Sequence, residues 1–193
     1  MDVPISAPLV LASASPRRSE LLTSAGFRFS VEPADVDESP LVGENPRDYV
    51  ARIARDKARV VAARRRESGA VVLAADTTVV AAGEILAKPD NELDAIRMLQ
   101  RLAGAVHDVY TGVVVRHGER ELDEVVPTRV RLLPITMDEI TWYVESGEPM
   151  GKAGAYGIQG RAARFVDWIE GSWSNVVGLP VATVYTLLKR LGA

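Results

Sequence analysis

The chain has 193 residues, 47% of them hydrophobic and 25% charged, which suits one well-cored domain or a single domain of two lobes and excludes disordered and fibrous classes. A net charge of -3 argues against a nucleic-acid binder working by bulk electrostatics, and the absence of cysteine excludes disulfides, thiolate metal sites and cysteine nucleophiles. No stretch approaches the ~20 apolar residues of a membrane span, and Ala12-Ser13-Ala14, small enough for a leader cleavage site, has Asp2 where a basic segment should precede it, so a soluble, cytoplasmic protein is expected, free of membrane and nucleic acid.

Leu9-Val10-Leu11 reads as a strand, and Ser13-Ala14-Ser15-Pro16-Arg17-Arg18 as the turn and helix start that follow it. Ser15 can cap, Pro16 suits the first helical position and Gly26 suits the stop, so a helix is predicted over 16–25. Its backbone N–H groups, the hydroxyls of Ser13 and Ser15 and the guanidiniums of Arg17 and Arg18 form a receptor for phosphate or another anion. Two arginines at a helix start oppose the dipole, which makes an anion the missing partner; the plainer reading is a solvated helix start.

Residues 29–32 read as a second strand, followed by the acidic loop Asp35-Val36-Asp37-Glu38. A long helix comes next, capped by Asn45, with Pro46 in its first turn and Gly69 after its end. Val50, Ile53, Ala54, Lys57, Ala58 and Val61 share its inward face, while Arg52, Arg55, Arg59 and Arg64 to Arg66 point mostly outward. The apolar run 70–75 predicts a strand covered on both faces and ending at Asp76. That end would put Asp76 and Thr77 at a carboxyl edge of the sheet, where α/β proteins hold ligands.

Segments 79–82 and 85–86 flank Gly83-Glu84 as a hairpin, closed by Lys88-Pro89. A third helix is predicted with Leu93, Ile96, Leu99 and Leu102 on one face, ending at Gly104. Residues 109–115 and 122–133 form an antiparallel pair around His117-Gly118, and Thr136 with Glu139 makes a capping box for a helix reaching Ser146. The glycine-rich segment 147–160 has a ligand-loop composition, 165–169 is a strand, and 180–191 is a closing helix. Helices alternate with strands and hairpins, so the fold class is α/β with a mixed sheet.

Two familiar motifs fail. Gly151-Lys152 is no phosphate-binding P-loop, because Ser146 stands at its first glycine and Ala153 at its magnesium-binding hydroxyl; His107 and His117 lack metal-ligand spacing and read as structural. Taken singly, Asp76 is as readily a turn residue, Glu38 a solvated acid, and Lys88 and Lys152 surface lysines. Together, Arg17, Arg18, Lys57, Lys88 and Lys152 can surround a polyphosphate while Glu38 and Asp76 hold a hard divalent cation. That combination describes a phosphoryl- or nucleotidyl-group site without a serine, cysteine or histidine nucleophile.

These residues resemble the Maf-like nucleoside triphosphate pyrophosphatases, sometimes labelled septum formation proteins. Leu11 to Leu22, reading LASASPRRSELL, is similar to the family's opening motif. Arg55-Asp56-Lys57-Ala58, Ala75-Asp76-Thr77, Ala87-Lys88-Pro89, Val109-Tyr110-Thr111-Gly112 and Gly154-Ala155-Tyr156-Gly157-Ile158-Gln159-Gly160 resemble later blocks, and Ser174-Asn175-Val176-Val177-Gly178-Leu179-Pro180 the C-terminal signature. The resemblance implies one domain over 1–193, with a mixed, elongated sheet flanked by helices and two lobes around a deep cleft, of the Maf/ITPase-like type. It implies metal-dependent hydrolysis of a nucleoside triphosphate between the α and β phosphates, a nucleotide-pool housekeeping role, and a homodimer.

Under that resemblance Asp76 is the proton acceptor, Mg²⁺ or Mn²⁺ is held by Glu38 and Asp76 with the direct ligand left open, and Arg18, Lys57, Lys88 and Lys152 stabilise the leaving pyrophosphate. Ser13, Ser15, Arg17, Thr77, Lys152 and Gln159 bind substrate. Arginine at 17, threonine at 77 and glutamine at 159 are similar to the branch acting on dTTP and UTP; a sibling branch with tryptophan and glutamate at the first and last of these positions acts on 7-methyl-GTP. The chemistry agrees, since a glutamine amide can both donate to a pyrimidine carbonyl and accept from its N3–H, whereas a carboxylate only accepts. The alternatives are a nucleotide-binding regulator of cell division acting through a partner, and a nucleic-acid module using the arginines of 52–66.

Overall fold

A computed structural model describes residues 7–192; Asp2, and with it part of the argument against a leader, lies outside the described residues. The elements run β1 (Leu9–Leu11), α1 (Pro16–Ser24), β2 (Ser30–Val31), α2 (Pro46–Arg64), β3 (Val71–Ala81), β4 (Glu84–Leu86), α3 (Glu92–Leu102), β5 (Val106–His117), β6 (Arg120–Leu132), α4 (Met137–Glu145), β7 (Val166–Glu170), α5 (Trp173–Val177) and α6 (Val181–Leu191). Short 3₁₀ turns add Arg66–Ser68, Ala153–Ala155 and Arg161–Phe165. The strands form one mixed sheet in the order β2-β1-β3-β5-β6-β7, with β4 paired to β3 off this path. β1 is parallel to both β2 and β3, while β3–β4 and β6–β7 are antiparallel. The α/β class with a mixed sheet is therefore observed. No described helix is long and apolar enough to cross a membrane.

Local chemistry accounts for most element ends. The Asn45 side chain accepts from the N–H groups of Arg47 and Asp48, and Pro46 occupies the first turn of α2, where a missing N–H costs nothing. Thr136 and Glu139 exchange both bonds of a capping box at the start of α4. Ala82-Gly83 links β3 to β4 as a two-residue loop with positive φ at both positions, the twist a tight hairpin requires.

Three expectations change. β3 does not stop at Asp76 but continues through Thr77, Thr78, Val79 and Val80, a β-branched run that suits the pleated sheet, so Asp76 lies mid-strand rather than at a strand end. The second strand shrinks to two exposed residues at the sheet edge. In α3 the buried stripe is Ala95, Met98, Leu99 and Leu102, and Leu93 is 78% exposed, so the helix is rotated relative to the expected face: 95, 98, 99 and 102 share the i, i+3, i+4, i+7 spacing, and Leu93 falls off it.

The chain forms two compact units, each discontinuous in sequence. The first takes in the described residues up to Asp76, Thr111–Val126 and those from Gly178 onward. Its core packs α2 on the sheet through Ala54, Ala58 and Val61 against Val10, Val72, Ala74 and Val114, and α6 buries Val184, Leu187, Leu188 and Leu191. At Gly112 helix and strand come so close that a Cβ would fall 2.4 Å from the Val50 carbonyl oxygen. The second unit, Thr77–Tyr110 and Pro127–Val177, packs α3 against α4 and against the Ala153–Ala155 turn. Tyr143 of α4 meets Phe165 edge to face in it.

Candidate active site

Asp76 is 7% exposed on β3, a position that an unpaired carboxylate cannot occupy cheaply. Its partner comes from α2: the inward stripe that buries Ile53, Ala54 and Ala58 also turns Lys57 inward, leaving its side chain 8% exposed. The Lys57 ammonium donates to Asp76 Oδ1 at 2.8 Å and pairs with Glu38 Oε1 at 2.6 Å. One ammonium thus joins two carboxylates, and the long β3 strand and the long α2 helix fix two members of the cluster while the 32–45 loop supplies the third.

Tyr49 lies eight residues before Lys57 on the same face of α2. It donates its hydroxyl to the Glu38 backbone oxygen at 2.9 Å and so anchors that loop. Burial, reinforced by the charges of Asp76 and Glu38, pushes its phenol up to about 12, so it remains a donor across the physiological range. The residue is missed by motif reading, although the i, i+4, i+8 spacing 49, 53, 57 marks it.

Arg18, in the first turn of α1, is 8% exposed. Its Nε donates to the Gly178 carbonyl at 2.8 Å and its Nη1 to Ser13 Oγ at 3.0 Å. Burial lowers its pKa, with Asp76 opposing the shift, Arg17 adding to it and Glu38 opposing it; a guanidinium still stays charged. Part of the missing partner of the arginine pair is thus in the chain itself. Gly178 adopts φ +127°, a conformation open essentially to glycine alone, which aims that carbonyl at Arg18. Ser15 stands at the N-cap of α1, but its hydroxyl does not cap the helix; its N–H donates to Ser13 Oγ at 3.2 Å. Arg17 and Ser15 are half-buried beside it.

The first unit therefore holds Ser13, Ser15, Arg17, Arg18, Glu38, Lys57 and Asp76, and brings together Arg18 with Ser13 and Lys57 with Glu38 and Asp76. Thr77, Lys88, Lys152 and Gln159 belong to the second unit. Within it, the Gly154 N–H donates to the Ala87 carbonyl at 3.1 Å, joining the Lys88 segment to the glycine-rich segment of Lys152 and Gln159. Lys152 Nζ donates to the Glu148 backbone oxygen; Lys88 and Gln159 are exposed and Thr77 is half-buried. His107 is buried, with Nε2 2.8 Å from the Tyr156 hydroxyl, and burial pushes its pKa down to about 4. The structural reading of this histidine holds. His117 lies 3.1 Å from the Gly69 carbonyl.

The arginines of α2 have protein partners. Arg52 pairs with Glu44 at 2.6 Å, Arg55 with Asp123 at 2.7 Å, Arg59 with Asp56 at 3.6 Å, and Arg64 and Arg65 with Glu32 at 3.7 and 2.5 Å. Within the run 52–66, carboxylates thus face Arg52, Arg55, Arg59, Arg64 and Arg65.

A family model described as Maf-like protein matches residues 8–191. A protein named dTTP/UTP pyrophosphatase from Anaeromyxobacter dehalogenans (strain 2CP-C) is 54% identical over 188 residues, covering 95% of this chain and 94% of that one. Proteins of the same name from Myxococcus xanthus (strain DK1622) and Geobacter sulfurreducens are 53% and 52% identical, covering 95% and 96% of this chain and 92% and 97% of theirs. With the family pattern matched over nearly all the described residues, and with relatives of this identity along almost their full length, the chain belongs to the Maf-like protein family.

Proposed function

We propose that this chain hydrolyses dTTP and UTP between the α and β phosphates, releasing the nucleoside monophosphate and pyrophosphate. The names carried by its relatives support the substrate pair. The structural observation that carries the chemistry is the Glu38–Lys57–Asp76 cluster, two carboxylates converging on one buried ammonium. Such a cluster, with one more carboxylate than ammonium, can orient and deprotonate an attacking water with no covalent nucleophile required.

In this reading Lys57 engages Asp76 Oδ1 and orients the carboxylate, and Oδ2 is the atom that takes the proton of the attacking water. Arg18, held by Ser13 and Gly178, contributes charge to the phosphates, and Arg17, Ser13 and Ser15 complete their surroundings. Lys88 and Lys152 neutralise the leaving pyrophosphate, while Thr77 and Gln159 read the base, the Gln159 amide supplying both the donor and the acceptor that a pyrimidine needs. A donor set of two carboxylates fits a hard cation such as Mg²⁺ or Mn²⁺, and Glu38 and Asp76 would hold it. Such an ion supplies Lewis-acid neutralisation of the phosphate charge. A homodimer is proposed on the resemblance, and light scattering tests it.

The decisive experiment is pyrophosphate release from a panel of nucleoside triphosphates, with Mg²⁺ or Mn²⁺, by the wild type and Asp76→Asn. Release from dTTP and UTP that falls on the order of 10²–10⁴-fold in the variant is expected for loss of a general base. Release of orthophosphate instead, or an unimpaired variant, defeats the reading.

A further inference from the structure

Glu148 follows α4 in the turn Ser146-Gly147-Glu148, and nothing in its local sequence marks it. Its carboxylate nevertheless gathers the backbone on both sides of Gln159. Oε2 accepts from the Arg161 N–H at 2.9 Å, and Oε1 accepts from the Ala162 N–H at 3.5 Å and from the Tyr143 hydroxyl at 2.9 Å. The same Tyr143 hydroxyl accepts from the Gly157 N–H at 3.1 Å. One relay, Tyr143 to Glu148, therefore holds residue 157 on one side of Gln159 and residues 161 and 162 on the other.

The glycines of the segment are explained by the same relay. A Cβ at Gly160 would sit 2.4 Å from Glu148 Oε1 and 2.5 Å from its carboxyl carbon, so the carboxylate lies directly against the Gly160 backbone. A Cβ at Gly157 would sit 2.9 Å from Lys152 Cε, and the Lys152 ammonium donates back to the Glu148 carbonyl. The Tyr143 ring is itself fully buried on capped helix α4, which gives the relay a rigid base.

We propose that Glu148, acting through Tyr143 and the amides of Gly157, Arg161 and Ala162, is a positioning residue that sets the geometry with which Gln159 meets the pyrimidine. The inference rests on the reading above, in which Gln159 contacts the base. Since the relay touches neither Asp76 nor Lys57, and Lys152 donates to the Glu148 backbone carbonyl, which side-chain substitutions keep, loss of the relay acts on substrate affinity and base preference and leaves the turnover step in place. An exposed glutamine on a glycine-rich segment has many accessible conformations, and holding the backbone at both flanks removes that entropic cost before the nucleotide arrives.

Three variants separate this role from general damage. Tyr143→Phe keeps the buried ring and removes only the hydroxyl; Gly160→Ala displaces the carboxylate, the end of a flexible side chain, without removing it; Glu148→Gln keeps the shape and one good acceptor. Amide hydrogen exchange at 157, 161 and 162 is measured together with kcat and KM for dTTP, UTP and purine triphosphates. Expected are faster exchange confined to these amides, a KM for dTTP raised about 5- to 10-fold as for one or two lost hydrogen bonds, kcat within about twofold, and a reduced pyrimidine preference, with Glu148→Gln the mildest. Unchanged exchange overturns the relay. Faster exchange with unaltered KM and preference, in an enzyme that does turn over dTTP, overturns the link to the base. A wild type that releases no pyrophosphate from any nucleotide overturns the functional reading instead, and the exchange data still decide whether Glu148 holds the segment.

Discussion

Gly112→Ala is expected to damage both the stability and the turnover of this protein, because the glycine is where β5 and α2 touch through their backbones. The added Cβ would fall 2.4 Å from the Val50 carbonyl oxygen, 2.7 Å from its carbon and 3.0 Å from the Ala51 nitrogen. Ordinary carbon contacts begin near 3.5 Å, and since all three neighbours are helix backbone, α2 as a whole must withdraw by about 1 Å. Overpacking of this kind costs roughly 1–3 kcal/mol, and a rigid obstacle puts the expectation at the upper end, about 3 kcal/mol. For a chain of this length that corresponds to a drop in Tm of roughly 6–12 °C.

Lys57 lies two turns further along the same helix, so the withdrawal carries its ammonium away from the 2.6 and 2.8 Å positions it holds against Glu38 and Asp76. A displacement of about 1 Å in a catalytic group lowers turnover by on the order of 10²-fold. The assay pairs thermal unfolding with pyrophosphate release from dTTP. Gly118→Ala serves as the control: a Cβ there meets nothing within 4 Å, so only the cost of its φ of +59° applies, about 1 kcal/mol, and kcat is unchanged. Wild-type Tm and kcat in Gly112→Ala would refute the reasoning, as would equal effects of the two alanines on kcat.

Acid sensitivity follows from His107. Its folded pKa of about 4 lies below the ordinary 6.5, so between these values the unfolded chain binds more protons and stability falls as pH is lowered from 6.5 through 4, by up to about 3 kcal/mol. Urea unfolding at pH 7 and pH 4 should show that extra loss in the wild type and a smaller one in His107→Phe; parallel pH dependences in the two proteins rule it out. Lys57→Met strands the buried Asp76 carboxylate and should cost about 3–5 kcal/mol. Adding Asp76→Asn should recover part of that loss in a double-mutant cycle, and strict additivity would mean that the two side chains are not coupled. Gly178→Ala forces a non-glycine residue to φ +127° and disturbs the carbonyl that holds Arg18; roughly 1–3 kcal/mol of stability and a lower kcat/KM are expected, and an unaltered kcat/KM would remove the Arg18–Gly178 bond from the catalytic arrangement.

What the sequence determined by itself is what depends on near neighbours. The Asn45 cap, Pro46, the capping box of Thr136 and Glu139, the hairpin at Gly83 and the inward stripe from Val50 to Val61 are legible because each is settled within a turn or two of chain. The stripe even carried Lys57 inward, a cation placed where only apolar residues are expected, and the side chains of the Glu38–Lys57–Asp76 cluster could all be nominated by type and pattern. Other features belong to tertiary structure alone. Asp76 read as a strand end because a charge usually closes an apolar run, yet an ammonium from a helix 19 residues earlier lets β3 run on through it. Arg18 read as an open anion ligand, but its Nε donates to a carbonyl 160 residues away. The spacing of 49, 53 and 57 puts Tyr49 on the inward face of α2, but its hold on the Glu38 carbonyl, like the roles of Gly178 and Glu148, was not legible: such partners are set by which backbone atoms folding brings within hydrogen-bonding distance, and no pattern of spacing along the chain encodes that proximity.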